Sequence, residues 1–356
     1  MTTMKKSYFR PEIDAMEGYV PGEQPVMENL IKLNTNENPY PPSEKVAQAL
    51  RDFSAETLRR YPDPMANRLR DAVAARFGAN RNNVIIGNGS DDLLTMIFRA
   101  FTSPKLPMAM LYPSYSLYAE LAAMQGARVV RLPLEKRTFS LPCDLLERVK
   151  NCNLLMLTRP NAPTGTLFPL TAVEKICTSF DGIVVIDEAY ADFAPDNCME
   201  LALKYANVIV MRTFSKSFSL AGVRLGYAVA DETLIAGLMK LKDSYNVDRL
   251  AQLVGEAAFA DVETLDRHCR DVCEGRAFLS DGLKKLGFFV ADSAANFLFA
   301  APPDGDGKRC FEELRRRAVI VRYFPGEATG EYVRITVGTA GENRKLLDFL
   351  HEIYGG

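Results

Sequence analysis

Short apolar segments alternate with helical stretches between about residues 44 and 260, and this alternation constrains the fold more than any other feature. Strands separated by helices are typical of an α/β sheet that is mostly parallel and flanked by helices. In such a sheet, ligands bind beyond the carboxyl ends of the strands, so functional side chains are expected just after strand ends. Seven segments have the length and aliphatic content of buried strands, at residues 83–87, 108–112, 127–134, 153–158, 182–188, 207–211 and 225–230.

The composition changes at both ends of this region, which predicts three parts. Residues 1–45 are rich in Pro, Gly and Asn and are expected to form an irregular arm that is part of a small domain. Residues 46–260 are expected to form the large domain, and residues 261–356 the remainder of a smaller α+β domain. Thr339 and Glu342 have capping-box spacing, which predicts the start of the last helix.

The overall composition narrows the range of partners. The chain has 356 residues, of which 47% are hydrophobic and 25% charged, and its formal net charge is −2. This balance is typical of a soluble globular protein and gives no reason to expect nucleic acid or a membrane as a partner. The N-terminal segment has lysines but lacks the apolar stretch of a signal peptide. Seven cysteines without a framework spacing predict reduced thiols, and therefore a cytoplasmic protein.

The histidine count limits the chemistry. Only His268 and His351 are present, which argues against a histidine-based triad and against a multi-histidine metal site. The segment HCRDVC at 268–273 could be taken as a metal cluster, but a helix with a cysteine every four residues is the simpler interpretation. No metal is therefore expected. The base of an enzyme with this composition is expected to be a lysine or a carboxylate.

The first of four informative strand ends carries the sequence GNGSDD. A helix is expected to begin at about Ser90, and the free N–H groups of such a turn form an anion site together with the helix dipole. An ordinary strand-to-helix turn can have the same sequence, so this motif does not decide by itself. Because the carboxylates of Asp91 and Asp92 would repel a phosphate, binding has to use their backbone N–H groups, with the side chains turned aside.

Two further strand ends carry Asn161, in the turn TRPNAPTG, and Asp187, which Tyr190 follows three residues later. The run IVVIDE also fits the Walker B acid of a nucleotide hydrolase, which requires a G-x-x-x-x-G-K-[ST] loop. The single Gly-Lys pair, Gly307-Lys308, is not part of such a loop. The interpretation as a nucleotide hydrolase is therefore weak.

The fourth strand end, TFSKSFSLAGVR, presents Lys216 and then Arg224. A lone lysine is usually solvated, but here an acid, a tyrosine, an asparagine and a phosphate-type turn are expected at the same sheet edge. Pyridoxal phosphate requires such a set: a lysine for its Schiff base, an acid for the pyridine nitrogen, donors for the ring oxygen and a phosphate site. As a base near neutrality, Lys216 needs a pKa about three units below the usual ~10.4, which burial and a neighbouring cation can supply.

Nine motifs then carry a resemblance to a known family. With them the chain resembles the fold-type I pyridoxal-phosphate aminotransferases over nearly its whole length, and within that superfamily it is most similar to the histidinol-phosphate aminotransferases. Two departures are Asp91-Asp92, where many relatives have Asp-Glu, and Asn161-Ala162-Pro163, where many have Asn-Asn-Pro. Neither departure removes a functional group that the resemblance assigns. In chain order the motifs are YVPGEQP, LNTNENP, RYPDP, GNGSDD, PSYSLY, NAPTG, DEAYADF, TFSKSFSLAGVRLGY and RITVG.

The resemblance implies a role for each matching residue around the cofactor. Lys216 would carry the cofactor and then move a proton, and Asp187 would pair with the pyridinium nitrogen. Tyr190 and Asn161 would hold the ring oxygen, and Tyr115 would stack on the ring. The cofactor phosphate would be held by the backbone at Ser90 and Asp91, by the side chains of Thr213, Ser215 and Arg224, and by Tyr61 from the other subunit of a homodimer.

The resemblance also implies a substrate site in which Arg322 and Arg334 bind the anionic groups, with Tyr19, Asn34 and Asn161 nearby. The two arginines lie within the apolar segments VIVRYF and YVRITVG, each predicted as one strand. Considered without the resemblance, each arginine could equally be an edge-strand residue that reaches solvent or forms a structural ion pair. The implied reaction is amino-group transfer between L-histidinol phosphate and 2-oxoglutarate, in histidine biosynthesis. An aromatic amino-acid aminotransferase, a threonine-phosphate decarboxylase and, more distantly, a non-catalytic binding protein are the alternatives.

Overall fold

The computed structural model describes residues 7–19 and 22–355. Residues 1–6 of the expected arm, Val20 and Pro21 of the YVPGEQP motif, and Gly356 lie outside the described residues. The strands are β1 Ile31–Lys32, β2 Val84–Gly87, β3 Met108–Tyr112, β4 Val129–Pro133, β5 Leu154–Thr158, β6 Ile183–Asp187, β7 Val208–Thr213, β8 Gly226–Ala230, β9 Phe289–Val290, β10 Phe297–Ala301, β11 Val319–Ile320, β12 Arg322–Tyr323 and β13 Val333–Thr336.

The α-helices lie mostly between these strands. They are α1 Pro11–Asp14, α2 Glu44–Arg51, α3 Asn67–Phe77, α4 Ser90–Phe101, α5 Leu117–Met124, α6 Leu145–Val149, α7 Leu170–Ser179, α8 Met199–Lys204, α9 Glu232–Met239, α10 Arg249–Phe259, α11 Val262–Lys285, α12 Gly307–Arg316 and α13 Ala340–Tyr354. Within residues 7–19 and 22–355, no helix combines the length and the hydropathy that crossing a membrane requires.

Strands β2 to β8 form a seven-stranded sheet in the order β2-β8-β7-β6-β5-β3-β4. The neighbours from β7 to β4 pair in parallel, whereas β8 is antiparallel to both β7 and β2. Each of the seven predicted strand segments supplies one strand of this sheet. The prediction of a mostly parallel α/β sheet is therefore confirmed.

The sheet is buried on both faces, which explains why its strands have nearly continuous apolar sequences. Successive side chains of a strand point to opposite faces. In β6, Val184 and Ile186 accordingly pack with helices α3, α7, α8 and α10, whereas Val185 packs with α4, α5 and α9 on the other face. Both layers of helices keep the strand backbones dry, and only the ends of the strands are open to a ligand.

A second, four-stranded antiparallel sheet has the order β12-β13-β10-β9. The segment VIVRYF, predicted as one strand, is divided: β11 pairs in parallel with β1 of the arm, and β12 joins β13. The arm is therefore not wholly irregular, because Ile31 and Leu33 are buried in the same core cluster as Val319 and Val321. This pairing supports an arm that belongs to the small domain, although the boundaries at residues 45 and 260 stay a prediction.

Two helices frame this smaller part of the molecule. Helix α11 begins after its N-cap Asp261 and ends before Gly287, whose φ of +82° is in the left-handed region that stops a helix. Helix α13 begins with the predicted capping box. There Thr339 accepts a hydrogen bond from the backbone N–H of Glu342, and the Glu342 carboxylate accepts one from the backbone N–H of Thr339.

Candidate active site

A cavity of about 340 Å³ lies where the carboxyl ends of β5, β6 and β7 meet the arm and the four-stranded sheet. The sequence names fifteen candidate site residues, and the cavity brings most of them together. The candidates that line it are Tyr19, Asn34, Ser90, Asp91, Tyr115, Asp187, Tyr190, Thr213, Ser215, Lys216, Arg224, Arg322 and Arg334. Asn161 lies directly behind the wall, next to the lining residues Ala162 and Pro163, and Tyr61 lies outside the cavity.

Lys216 follows β7 and directs its amino group into the cavity, where Nζ donates a hydrogen bond of 2.9 Å to the backbone oxygen of Thr35. Burial lowers the pKa of Lys216 to about 7, and the guanidinium groups of Arg334 and Arg224 contribute to this shift. The carboxylate of Glu37 acts in the opposite direction. A large fraction of Lys216 is therefore neutral at physiological pH and able to accept a proton, as a catalytic base must be.

Asp187 is the last residue of β6 and is only 5% exposed. Its Oδ2 accepts a hydrogen bond of 2.6 Å from the hydroxyl of Tyr118, and Oδ1 accepts one of 3.1 Å from the backbone N–H of Ala189. Burial raises the pKa of Asp187 to about 6, although both hydrogen bonds lower it. A carboxylate held in this way is prepared to pair with a cationic ring nitrogen.

The turn between β2 and α4 presents the N-terminus of an α-helix at Ser90 to the cavity. Opposite it, Thr213 donates to Ser215 at 2.9 Å, and Nη1 of Arg224 donates to the same Ser215 oxygen at 3.4 Å. Hydroxyls, a guanidinium and a helix N-terminus are the donors that a phosphate group requires. This end of the cavity therefore fits the phosphate of a cofactor.

Two glycines keep this end of the cavity open. A Cβ on Gly89 would approach Nη2 of Arg224 to 2.7 Å, and φ of Gly89 is +80°. A Cβ on Gly226 would lie 2.8 Å from the backbone nitrogen of Ser90 and 3.0 Å from the backbone oxygen of Arg212. Side chains at these two positions would displace the groups that form the phosphate-type turn.

The two aspartates of this turn behave differently. Asp92 is turned aside as expected, since its Oδ2 accepts hydrogen bonds from the backbone of Asn88 and from Nδ2 of Asn246. The expectation was wrong for Asp91, whose carboxylate lines the cavity and lies 3.2 Å from Nη2 of Arg224. The ion pair compensates the charge of Asp91, so its side chain does not have to leave the cavity.

Asn161 is fully buried, and its Nδ2 donates to the backbone oxygen of Pro113 and to Oγ1 of Thr164. Its Oδ1 is buried without a hydrogen-bond partner among the described residues. Tyr190 is held by Asn36, whose Nδ2 donates 2.9 Å to the tyrosine hydroxyl. Asn36 was not identified from the sequence, although it belongs to the LNTNENP motif. These groups leave hydrogen-bonding capacity at the cavity wall for a bound molecule.

Arg322 and Arg334 lie directly opposite each other, as Cα partners in the antiparallel pair of β12 and β13. Both line the cavity, and both guanidinium groups lie over the ring of Phe324, at 5.3 and 5.2 Å from its centroid. Burial lowers the pKa of Arg334, and the Arg322 cation contributes to this shift. Nη2 of Arg334 donates to the backbone oxygen of Asn34, whereas its Nε is buried without a partner among the described residues.

The described part of the arm closes one side of the cavity. Tyr19 places its ring edge against Tyr115, with 5.9 Å between the centroids, and Nδ2 of Asn34 holds the backbone oxygen of Glu23. Tyr61 is 76% exposed and stacks on the ring of Tyr245 at 4.3 Å. Tyr61 is therefore not brought into the cavity of its own chain, and its role across a dimer interface stays a prediction.

A reactive lysine, a buried acid and a phosphate-type turn at the edge of one α/β sheet define the site of a pyridoxal-phosphate-dependent enzyme. Residues 28–350 match the family model described as Aminotransferase class I and II. The chain belongs to this aminotransferase family. It is thus an enzyme, and its cofactor is pyridoxal 5′-phosphate.

Individual relatives match nearly the whole length of the chain. The protein named Histidinol-phosphate aminotransferase 1 from Nostoc is 40% identical over 348 residues, which are 98% of this chain and 98% of the relative. Histidinol-phosphate aminotransferase from Geobacter sulfurreducens is 44% identical over 355 residues, covering 97% and 99%. The crystal structure of histidinol-phosphate aminotransferase from Sinorhizobium meliloti with pyridoxal-5′-phosphate is 25% identical, with a TM-score of 0.90 and 98% of both chains covered.

The low pKa of Lys216 leads to a testable prediction. Replacing Arg334 by Gln removes a cation that lowers this pKa, so the pKa of Lys216 should rise above about 7 in the cofactor-free chain. Trace acetylation of the full chain over a range of pH, with quantification of the Lys216 peptide, measures the change. Arg128→Gln, an exposed arginine that does not line the cavity, is the matched control. An unchanged or lower pKa in Arg334→Gln would contradict this account of the site.

Proposed function

We propose that the enzyme transfers an amino group from L-histidinol phosphate to 2-oxoglutarate, giving imidazole-acetol phosphate and L-glutamate, as a step of cytoplasmic histidine biosynthesis. The names of the full-length relatives support this substrate. The observation that carries the proposal is the direct opposition of Arg322 and Arg334 at the cavity. Guanidinium groups bind phosphate and carboxylate groups with matching bidentate geometry, so two arginines that line one cavity suit an anionic substrate group.

Bound pyridoxal phosphate supplies an electron-withdrawing ring that stabilises the negative charge formed when the substrate carbon loses its proton. In the proposal, Lys216 holds the cofactor and then receives and returns that proton at Nζ. Its pKa of about 7 suits this role, because near neutrality Lys216 is present both as the amine that accepts a proton and as the ammonium that returns it. Asp187 would keep the ring nitrogen protonated, because the carboxylate and the cationic nitrogen compensate each other's charge in a buried site.

The remaining polar residues orient the cofactor. Tyr190 and Asn161 are proposed to bind the ring oxygen, and the unpartnered Oδ1 of Asn161 supports a further contact there. Tyr115 would cover the ring, because it lines the same cavity as Asp187. The phosphate is proposed to be held by the N-terminus of α4 and by the side chains of Thr213, Ser215 and Arg224.

The same two arginines have to serve two different anions. A transaminase alternates two substrates in one site, here a phosphate monoester and a dicarboxylate. The planar guanidinium fork binds phosphate and carboxylate with similar geometry, which a lysine ammonium does not. Tyr19 and Asn34 lie beside these arginines and are proposed to complete the substrate site.

The substrate assignment predicts a strong dependence on the phosphate group. Histidinol phosphate should convert the cofactor to its amine form far faster than histidinol, by about two orders of magnitude, because charged hydrogen bonds are worth about 1.5–3 kcal/mol each. Single-turnover absorbance measurements with histidinol phosphate, histidinol, phenylalanine, threonine phosphate and glutamate test this directly. Equal rates for histidinol and its phosphate, or preference for phenylalanine, would indicate an aromatic aminotransferase. Carbon dioxide release from threonine phosphate would indicate a decarboxylase.

The enzyme is also proposed to be a homodimer in which Tyr61 reaches the cofactor phosphate of the other subunit. The exposed stack of Tyr61 on Tyr245 supports an interface there, because contiguous apolar surface that is left exposed can mark a protein–protein interaction site. In this arrangement each active site takes Lys216 from one chain and Tyr61 from the other.

A hybrid dimer tests the shared site. Lys216→Ala and Tyr61→Ala should each be impaired as homodimers, and co-refolding them should restore about a quarter of wild-type activity. Random pairing makes half of the dimers hybrids, and each hybrid has one intact site. Measured activity, with hybrid formation verified by differently tagged chains, is the readout. No recovery in verified hybrids would mean that Tyr61 does not act across the interface.

A further inference from the structure

A chain of three hydroxyls, of which those of Thr158 and Tyr118 are buried, leads to the carboxylate of Asp187. Ser114 Oγ lies 3.1 Å from Thr158 Oγ1, which lies 3.0 Å from the hydroxyl of Tyr118, and this hydroxyl donates to Asp187 Oδ2 at 2.6 Å. Tyr118 is fully buried and does not line the cavity, so it does not contact a bound molecule. Nothing in the cofactor or substrate assignments above uses this tyrosine.

The direction of the chain follows from the chemistry of its last member. An ionised carboxylate can only accept hydrogen bonds, so Tyr118 has to use its single proton on Asp187. The Tyr118 oxygen is then free to accept a hydrogen bond from Thr158, which in turn can accept one from Ser114. Hydrogen bonds that point the same way polarise and strengthen one another. The whole chain therefore stabilises the charged form of Asp187.

We propose that Tyr118 is a positioning residue that orients the Asp187 carboxylate and keeps it ionised for the cofactor ring nitrogen. The inference rests on the proposed role of Asp187, and it concerns a residue that acts only through that carboxylate. Tyr118 holds Oδ2 while the backbone N–H of Ala189 holds Oδ1, so both oxygens are fixed. A fixed carboxylate presents its charge in one direction, which a freely rotating one does not.

The surroundings of Asp187 make this hydrogen bond necessary. Burial disfavours the charged form, and the carboxylates of Asp91 on α4 and of Glu188, directly after β6, raise the pKa of Asp187 further. Burial raises the pKa of Tyr190, so its hydroxyl stays uncharged at neutral pH and adds no further negative charge near Asp187. The hydrogen bonds from Tyr118 and Ala189 both lower the pKa of Asp187. Loss of one of them should shift the titration toward higher pH.

Tyr118→Phe tests the proposal because it removes only the hydroxyl. The titration of Asp187 is measured in the cofactor-free full chain by carboxyl ¹³C NMR with labelled aspartate, and Asp187→Asn assigns the signal. The pKa of Asp187 should rise by about one unit or more, which is tenfold in its proton affinity. Thr158→Val keeps the Tyr118 hydroxyl but removes its neighbour, so it should raise the same pKa by less.

Affinity for pyridoxal phosphate supplies a second readout. If only the ionised Asp187 binds tightly, the Kd of Tyr118→Phe should exceed that of the wild type by about tenfold below pH ~6. The ratio of the two Kd values should approach one above pH ~8, where Asp187 is ionised in both proteins. Tyr205→Phe is the matched control: its hydroxyl donates 2.8 Å to the carboxylate of Glu174, away from the cavity, and both readouts should keep their wild-type values.

The outcomes separate this inference from the function on which it rests. If Asp187→Asn binds pyridoxal phosphate as tightly as the wild type, the proposed role of Asp187 fails. If Asp187→Asn is impaired while Tyr118→Phe retains the wild-type pKa and Kd profile, the role of Tyr118 is overturned and that of Asp187 stands. Should Tyr118→Phe fail to fold, Thr158→Val decides alone, and an unchanged Asp187 pKa in that variant overturns the proposal.

Discussion

The active site depends on the parallel hydrogen bonding of β5, β6 and β7, because this pairing brings three strand ends to one edge. Thr158 is the register partner of Asp187, and Asp187 is the partner of Met211 on β7. The acid therefore lies beside the strand whose next residues lead to Lys216. Helices on both faces fix these strands, so the distance between acid and lysine is a property of the sheet rather than of flexible loops.

A buried ion network, whose residues do not line the cavity, joins two of these strand ends. Arg212 on β7 contacts Glu188 at 2.7 Å and Asp192 at 2.9 Å, and Ser217, next to Lys216, donates to Asp192. Arg212 and Glu188 are almost completely buried, and such charges are tolerated only when they are paired and hydrogen-bonded. The network ties the segment that follows Asp187 to the segment after β7 that carries Lys216.

Local patterns in the sequence predicted the parts of the site that depend on single elements. Alternating strands and helices predicted the sheet, and the position of Lys216, Asp187 and Arg224 after strands predicted their convergence. Contacts between distant elements were not predictable in this way: Tyr118 precedes Asp187 by 69 residues, and no spacing indicates that their side chains meet. The opposition of Arg322 and Arg334 likewise depends on which residues of β12 and β13 are paired. The sequence did not indicate this pairing, because the VIVRYF segment is divided between two strands that have different partners.

The central claim is that Lys216 carries the cofactor at this sheet edge and acts as the catalytic base. Borohydride reduction of the holoenzyme, followed by digestion and mass spectrometry, tests it most directly. The account predicts a pyridoxyl group on the peptide that contains Lys216 and on no other lysine. It also predicts that Lys216→Ala carries no such group and loses transamination by several orders of magnitude. A label on a different lysine, or normal turnover by Lys216→Ala, would contradict the account.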